Sequence, residues 1–374
     1  MQSKIINVEA IPVKMPLNKI YKGSNYFMSH RVTVVTRITT EDNIVGEIYN
    51  GDEIDHLDAI VKMIRDVIKP LIVGENIFDL NGIWDKIYPL TYNILADRKI
   101  ALNAIACVDS AVHDAIGKTL GVPLIQLWGG SRTKLPVMVI GGYYTEGVDV
   151  DEAAIVSDIE TYKAMGAAAC KFKVGGRSPE VDVKRVEIAR KAAGDDFILA
   201  VDANQGWSRA DALKFASGVR DLGIRWFEEP CRWSYDKDAM KDIRQMSGIP
   251  VAAGQSEVSP AKCIELMTNG SIDVCNYDAS WSGGPTVWRQ VAGAAAALGF
   301  EMAHHEEPQI SAHLLGAAPT GTFLEVFHPD RDPMFYSMIA DRNPFVGGYY
   351  EIPNNPGFGI RLNWETINRY RLDQ

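Results

Sequence analysis

Apolar positions in the first fifty residues fall in short β-rich runs, INVEAIPVKM, RVTVVTRITT and NIVGEIYN. This pattern predicts three strands. A polar-aromatic loop from Lys19 to His30 joins the first two, and a hairpin turn at Glu41-Asp42-Asn43 precedes the third. From Asp55 to Leu120 the period becomes helical. Ile60, Ile64 and Ile68 recur at fourfold spacing, and ALNAIACVDSAVHDAIGKTL reads as a long amphipathic helix that Gly121-Val122-Pro123 ends. Strands followed by helices predict a small α+β domain over residues 1–130.

After Leu135 the pattern repeats. VMVIGG, CKFKVG, FILAVDA, IRWFEE, PVAAG, IDVCNY, FEMAHH and TFLEVF read as buried parallel strands. Amphipathic stretches such as PEVDVKRVEIARKAAG and GPTVWRQVAGAAAALG lie between most of them, at the spacing of a βα unit. The series predicts an α/β (β/α) barrel over residues 131–327, with an open doubly wound sheet as the alternative. The Pro-, Gly- and aromatic-rich segment 328–374 is expected to pack back on the first domain.

Composition narrows the function classes. A chain of 374 residues fits two packed domains, and 47% hydrophobic with 23% charged residues is ordinary for a soluble protein. A formal charge of -10 without a basic run argues against nucleic acid as a partner. No run reaches the roughly 18 apolar residues that span a bilayer, and MQSKIINVEAIPVKM has no secretory core, so no membrane partner and a cytoplasmic location are expected. Five scattered cysteines argue against a disulfide framework or a zinc cluster. The acidic balance also means that an anionic substrate must be held by local positive groups.

The polar residues at the strand ends supply candidates for those groups. In order they are Lys171 and Lys173, Asp202 and Asn204, Glu228 and Glu229, Gln255 and Glu257, Asp278, His304 and His305, and Glu325. In a barrel such residues converge at the C-terminal mouth. Asp202, Glu228 and a third carboxylate would repel one another unless a cation lies between them, and hard oxygen ligands suit Mg²⁺. Lys171 and Lys173 flank Phe172, so they share a face. Each is expected to lower the other's pKa, which would suit a general base. An Asp278–His305 contact would orient the imidazole and raise its basicity, with His304 turned away. Mg²⁺, Lys171 and Glu325 would stabilise an ene-diolate, with Lys173 and His305 on opposite faces of the α-carbon.

As a set, KFKVG (171–175), VDANQGW (201–207), WFEEP (226–230) and ISAHLLGAAPTGTFLE (310–325) resemble the enolase superfamily, in its mandelate racemase subgroup. The resemblance implies a modified (β/α)7β TIM-like barrel beneath an N-terminal α+β capping domain, one Mg²⁺ per subunit and a homo-oligomer. It implies Lys173 as base, Lys171 on the substrate carboxylate, Asp202 and Glu228 as metal ligands, and His305–Asp278 as the dyad. Glu325 then hydrogen-bonds the substrate carboxylate. Where the subgroup usually has Gly-Glu, this chain has Gly254-Gln255; Glu257 is the expected third ligand, with Gln255 the alternative.

Lysine and histidine bases permit two outcomes. One is dehydration of an acid sugar, aldonate or aldarate, to a 2-keto-3-deoxy acid; the other is racemisation or epimerisation of a 2-hydroxy acid. Cycloisomerisation does not need the dyad, and a non-catalytic sugar-acid binder is the reading from another class. The hydrogen-bonding loop, with Lys19 and Tyr26 expected on the substrate, favours a polyol acid, and Lys19 with Lys22 would suit a diacid.

Overall fold

The computed structural model describes residues 2–52 and 55–373. Its N-terminal part is an antiparallel sheet of β1 (Ile5–Lys22), β2 (Phe27–Thr40) and β3 (Val45–Asn50). The expected loop from Lys19 to His30 is mostly strand. Tyr21 pairs with Met28 and Lys22 with Phe27, leaving only a tight turn around Gly23 to Tyr26. A register shift between Pro16 and Tyr21 lets the hairpin continue past the proline. Its tip docks on the second domain, where the Tyr144 N–H donates to the Lys22 carbonyl at 3.0 Å.

The helix Arg98–Leu120 lies across this sheet, and Gly121 in the left-handed conformation ends it. It is not amphipathic as expected, because every residue from Ala101 to Gly117 is buried. One side packs on β2 and β3, and the other meets the barrel helix Pro285–Leu298. There Asp109 accepts from the Thr286 N–H at 2.9 Å. By length and composition this helix could cross a membrane, contrary to the expectation for the chain, but it is a core helix enclosed on all sides.

Eight parallel strands form the barrel: β4 (Lys134–Gly141), β5 (Ala169–Lys173), β6 (Ile198–Asp202), β7 (Ile224–Glu228), β8 (Val251–Ala253), β9 (Val274–Cys275), β10 (Glu301–Met302) and β11 (Leu324–Phe327). Each pairs with the next through β10, β11 pairs with β4, and a Met302–Gly321 bridge closes the ring. Seven helices connect them, from Glu152–Ala164 to Pro308–Ala317, so the architecture is (β/α)7β and not an open sheet. Met138, Ala169, Ala200, Trp226, Ala252 and Val274 fill the interior. The alanines of β5, β6 and β8 leave room for the large indole and for long polar groups above it.

The C-terminal segment divides between the two parts. A short hairpin, β12 (Phe345–Val346) and β13 (Tyr349–Glu351), adds antiparallel to the start of β4. The helix Trp364–Tyr370 returns to the first sheet, where the Arg37 guanidinium lies 4.7 Å from the Trp364 ring and the Leu372 N–H donates to Pro12.

Candidate active site

Parallel register builds the floor of the site. Lys173 pairs across to Asp202, and Asp202 to Glu228, so the ends of β5, β6 and β7 lie at one level inside the barrel. Lys171, Lys173, Asp202, Glu228 and Glu325 are all buried. Lys171 Nζ lies 2.7 Å from Glu228 Oε1 and 2.6 Å from Glu325 Oε1, spanning the barrel interior. Lys173 Nζ donates to Asp202 Oδ2 at 2.7 Å and to Asn204 Oδ1 at 2.9 Å. The Trp226 indole N–H donates to the other Glu228 oxygen at 3.1 Å, an orienting contact that the strand pattern did not single out.

These partners reverse the expected lysine shifts. Burial does pull both ammonium groups down, but Asp202 beside Lys173, and Glu228 and Glu325 beside Lys171, outweigh it. Both lysines therefore sit above the ordinary range. Burial pushes Glu228 up to about 8, with Asp202 and Glu325 adding to the shift. Asp202 stays below its usual range despite burial, because Lys173 and Lys171 favour its charged form.

Above the floor lies a cavity of ≈ 450 Å³ whose walls include Lys173, Asn204, Tyr26, Trp281 and His305. His305 Nδ1 and Asp278 Oδ2 are 2.9 Å apart, so the expected pair is formed, and Asp278 Oδ1 accepts from the Ser280 N–H at 2.7 Å. His305 Nε2 meets Glu306 Oε1 at 3.2 Å. Burial disfavours the imidazolium, but Glu306 and Asp278 more than offset it and hold His305 well above its ordinary pKa. His304 points away, accepting the Ala279 N–H at Nε2. Tyr26 presents its ring 5.7 Å from Lys173 Nζ.

Three expected residues lie elsewhere. Lys19 lines a separate cavity of ≈ 390 Å³ with Tyr21, Tyr143, Asp158 and His328, because the continued hairpin carries it away from the mouth. Lys22 pairs instead with the exposed Glu146 at 2.7 Å. Glu257, the expected third ligand, would reach the mouth only if the chain stayed extended after β8, and it does not. Gly254 has φ 142°, and the Glu257 N–H closes a turn onto the Gly254 carbonyl at 3.0 Å. Glu257 consequently faces a small recess with Cys231, Asp236, Met240 and Leu266.

Gln255 and Glu229 enter the cavity instead. The Gln255 amide N–H donates to Glu229 Oε2 at 2.9 Å, while its buried Oε1 has no hydrogen-bond partner. Residues after a strand normally alternate sides, but Glu229 has φ 37°, as Asn204 and Gln205 have φ 41° and 61°. These strained turns bring successive polar residues to one mouth. Among the described residues no three Asp, Glu, His or Cys groups are arranged to hold a metal. The donor set the barrel offers is two carboxylates, Asp202 and Glu228, with the unpartnered amide oxygen of Gln255. Sequence reasoning also missed Asp52, Glu306 and Arg331 on the cavity wall, since no strand-end position marks them.

Comparison with known proteins agrees with this architecture. Residues 5–129 match the mandelate racemase / muconate lactonizing enzyme N-terminal domain, and residues 154–366 match the enolase C-terminal domain-like model. A mandelate racemase/muconate lactonizing enzyme from a marine actinobacterium, solved in complex with magnesium, is 44% identical with a TM-score of 0.93, over 99% of this chain and 100% of that one. An arabinonate dehydratase of Saccharolobus solfataricus is 29% identical over 90% of each chain. An L-Ala-D/L-Glu epimerase of Bacillus subtilis is 28% identical over 96% of each. The chain thus belongs to the enolase superfamily, in its mandelate racemase / muconate lactonizing enzyme group.

Proposed function

We propose that the protein is a Mg²⁺-dependent dehydratase of an acid sugar, which removes the proton α to the carboxylate and expels the β-hydroxyl to give a 2-keto-3-deoxy acid. The observation that carries the reading is a lysine and an Asp278-paired histidine facing one cavity. His305, raised by Asp278 and Glu306, holds a proton to give to a departing hydroxyl. The relatives include dehydratases, epimerases and cycloisomerases at 24% to 29% identity, so the reaction rests on the site and not on likeness.

Asp202 and Glu228 with Gln255 fit a magnesium ion: all three offer hard oxygen, and Gln255 Oε1 is otherwise unpartnered. The floor carries three carboxylates against two lysines, and a divalent cation turns that balance in favour of a substrate carboxylate. Asp202, Glu228 and Gln255 would hold the ion, which when bound would supply positive charge for the developing ene-diolate. Lys171 donates to the substrate carboxylate from the other side, and Glu325, 2.6 Å from Lys171, can hold it only as the protonated acid. Lys173, positioned by Asp202 and Asn204, takes the α-proton at Nζ in its neutral form. His305 gives its Nε2 proton to the β-hydroxyl, which leaves as water, while Asp278 fixes the ring through Nδ1.

The same lysine and histidine pair supports a second reading, racemisation or epimerisation of a 2-hydroxy acid. Proton NMR in D₂O with Mg²⁺ and a panel of sugar acids separates the two. Dehydration gives substrate loss with a new methylene signal. Exchange of the α-proton without water loss would replace the dehydratase reading by the isomerase one.

A further inference from the structure

Where the N-terminal domain meets the barrel, four carboxylates gather around two guanidiniums. Arg31 of β2 takes nearly all the pairing. Its nitrogens lie 2.8 Å from Asp52, 3.1 Å from Glu306, 3.2 Å from Glu307 and 3.7 Å from Asp332. Arg331 is the other cation. It is 2% exposed, its nearest carboxylate oxygen is on Asp52 at 4.0 Å, and its Nε and Nη1 have no hydrogen-bond partner. The Phe327 ring supports it from 4.3 Å. Arg331, Asp52 and Glu306 all line the cavity that holds Lys173 and His305.

This wall offers hydrogen bonds of both kinds but carries an excess of negative charge. Even with Glu307 protonated, since burial pushes it up to about 8, three carboxylates face two guanidiniums. A hydroxyl suits such a wall because it can accept from an arginine and donate to a carboxylate at once. A second substrate carboxylate can only accept, and it would lie among like charges. Among the described residues no cation is left over to compensate: His305, 3.2 Å from Glu306, brings the Asp278 carboxylate with it at 2.9 Å. Lys173 belongs to the reacting end, and Lys99 is exposed at the mouth in company with Asp55 and His56.

We infer that Arg331, Asp52 and Glu306 bind the distal hydroxyl end of the substrate, which is a monocarboxylic sugar acid and not a dicarboxylic one. The inference deepens the dehydratase reading and rests on it for the orientation of the substrate, carboxylate at the floor and polyol at the wall. It reverses the diacid expectation drawn from Lys19 and Lys22.

Titration calorimetry of the magnesium-loaded enzyme tests it, with aldonates and aldarates of matched configuration such as gluconate and glucarate, or galactonate and galactarate. In each pair that binds, the diacid is expected to bind roughly 30-fold more weakly or worse, and Asp52→Asn or Glu306→Gln should narrow the gap about tenfold. Equal or tighter binding of the diacid would overturn the inference. Calorimetry reads binding and not turnover. An aldonate that binds with this preference but is epimerised would therefore sink the dehydratase reading alone. Failure of both acid classes to bind would overturn both.

Discussion

The floor and the wall of the cavity are both buried ionic clusters, yet they are assembled in opposite ways. On the floor, neighbours in the sheet carry the charges: Lys173 beside Asp202, and Asp202 beside Glu228. Hydrogen-bonded strand register fixes their spacing, so the groups that must act on one carbon cannot drift apart. The wall gathers Arg31 from β2, Asp52 after β3, Glu306 from a barrel loop and Arg331 from the C-terminal segment. Nothing but tertiary packing brings these together. On the proposed reading, the chemistry is placed where backbone geometry is least free, and selection of the substrate where separate segments meet.

If the wall is as integral as the floor, removing its central cation should be felt by the whole fold. Arg31→Met leaves Asp52, Glu306, Glu307 and Asp332 without their shared partner, and should lower stability by about 3–5 kcal/mol in urea unfolding. A loss below about 1 kcal/mol, the worth of an exposed pair, would make the wall a solvated lid instead.

The next effect sharpens the border between the two regions. Gln255→Ala should weaken Mg²⁺ binding roughly 10- to 100-fold by calorimetry, whereas Glu257→Gln, in its separate recess, should change it less than about twofold. The opposite ranking would return Glu257 to the floor.

A smaller, pH-dependent effect lies outside both regions. His313 accepts the Ile125 N–H at 3.1 Å and bonds the Phe358 carbonyl at 2.9 Å, joining the last barrel helix to the C-terminal segment. Burial depresses its pKa to about 4, so the unfolded chain binds a proton that the folded one refuses. Its stabilising contribution is present above the ordinary histidine value of about 6.5 and is lost as pH falls through about 4. Between pH 7 and 5 the urea midpoint of the wild type should fall further than that of His313→Gln.

The same contrast explains what the sequence revealed. Lys171, Lys173, Asp202, Glu228, His305 and Glu325 were readable because apolar strand runs end at them, and periodicity locates strand ends. Asp278 and His305 end adjacent strands, and the structure brings them to 2.9 Å. Glu257 misled because the residue after Gly254 turns where alternation assumes extension, and Glu229 was passed over because its positive φ defeats the same alternation. Lys19 was misplaced because a register shift carries β1 past Pro16, where polar and aromatic residues suggested a loop. The wall left no periodic trace at all: Arg31 meets Glu306 across 275 residues of sequence.

The central claim is a division of labour on the floor's rim, with Lys173 as base and His305 as acid. Its most direct test is α-proton exchange in D₂O by Lys173→Ala and His305→Asn, each loaded with Mg²⁺ and given an aldonate that the wild type consumes. Lys173→Ala is predicted to lose both exchange and dehydration, by about 10⁴-fold. His305→Asn should lose dehydration while still exchanging the α-proton. Exchange that survives in Lys173→Ala but vanishes in His305→Asn would contradict the account, because it would make His305 the base.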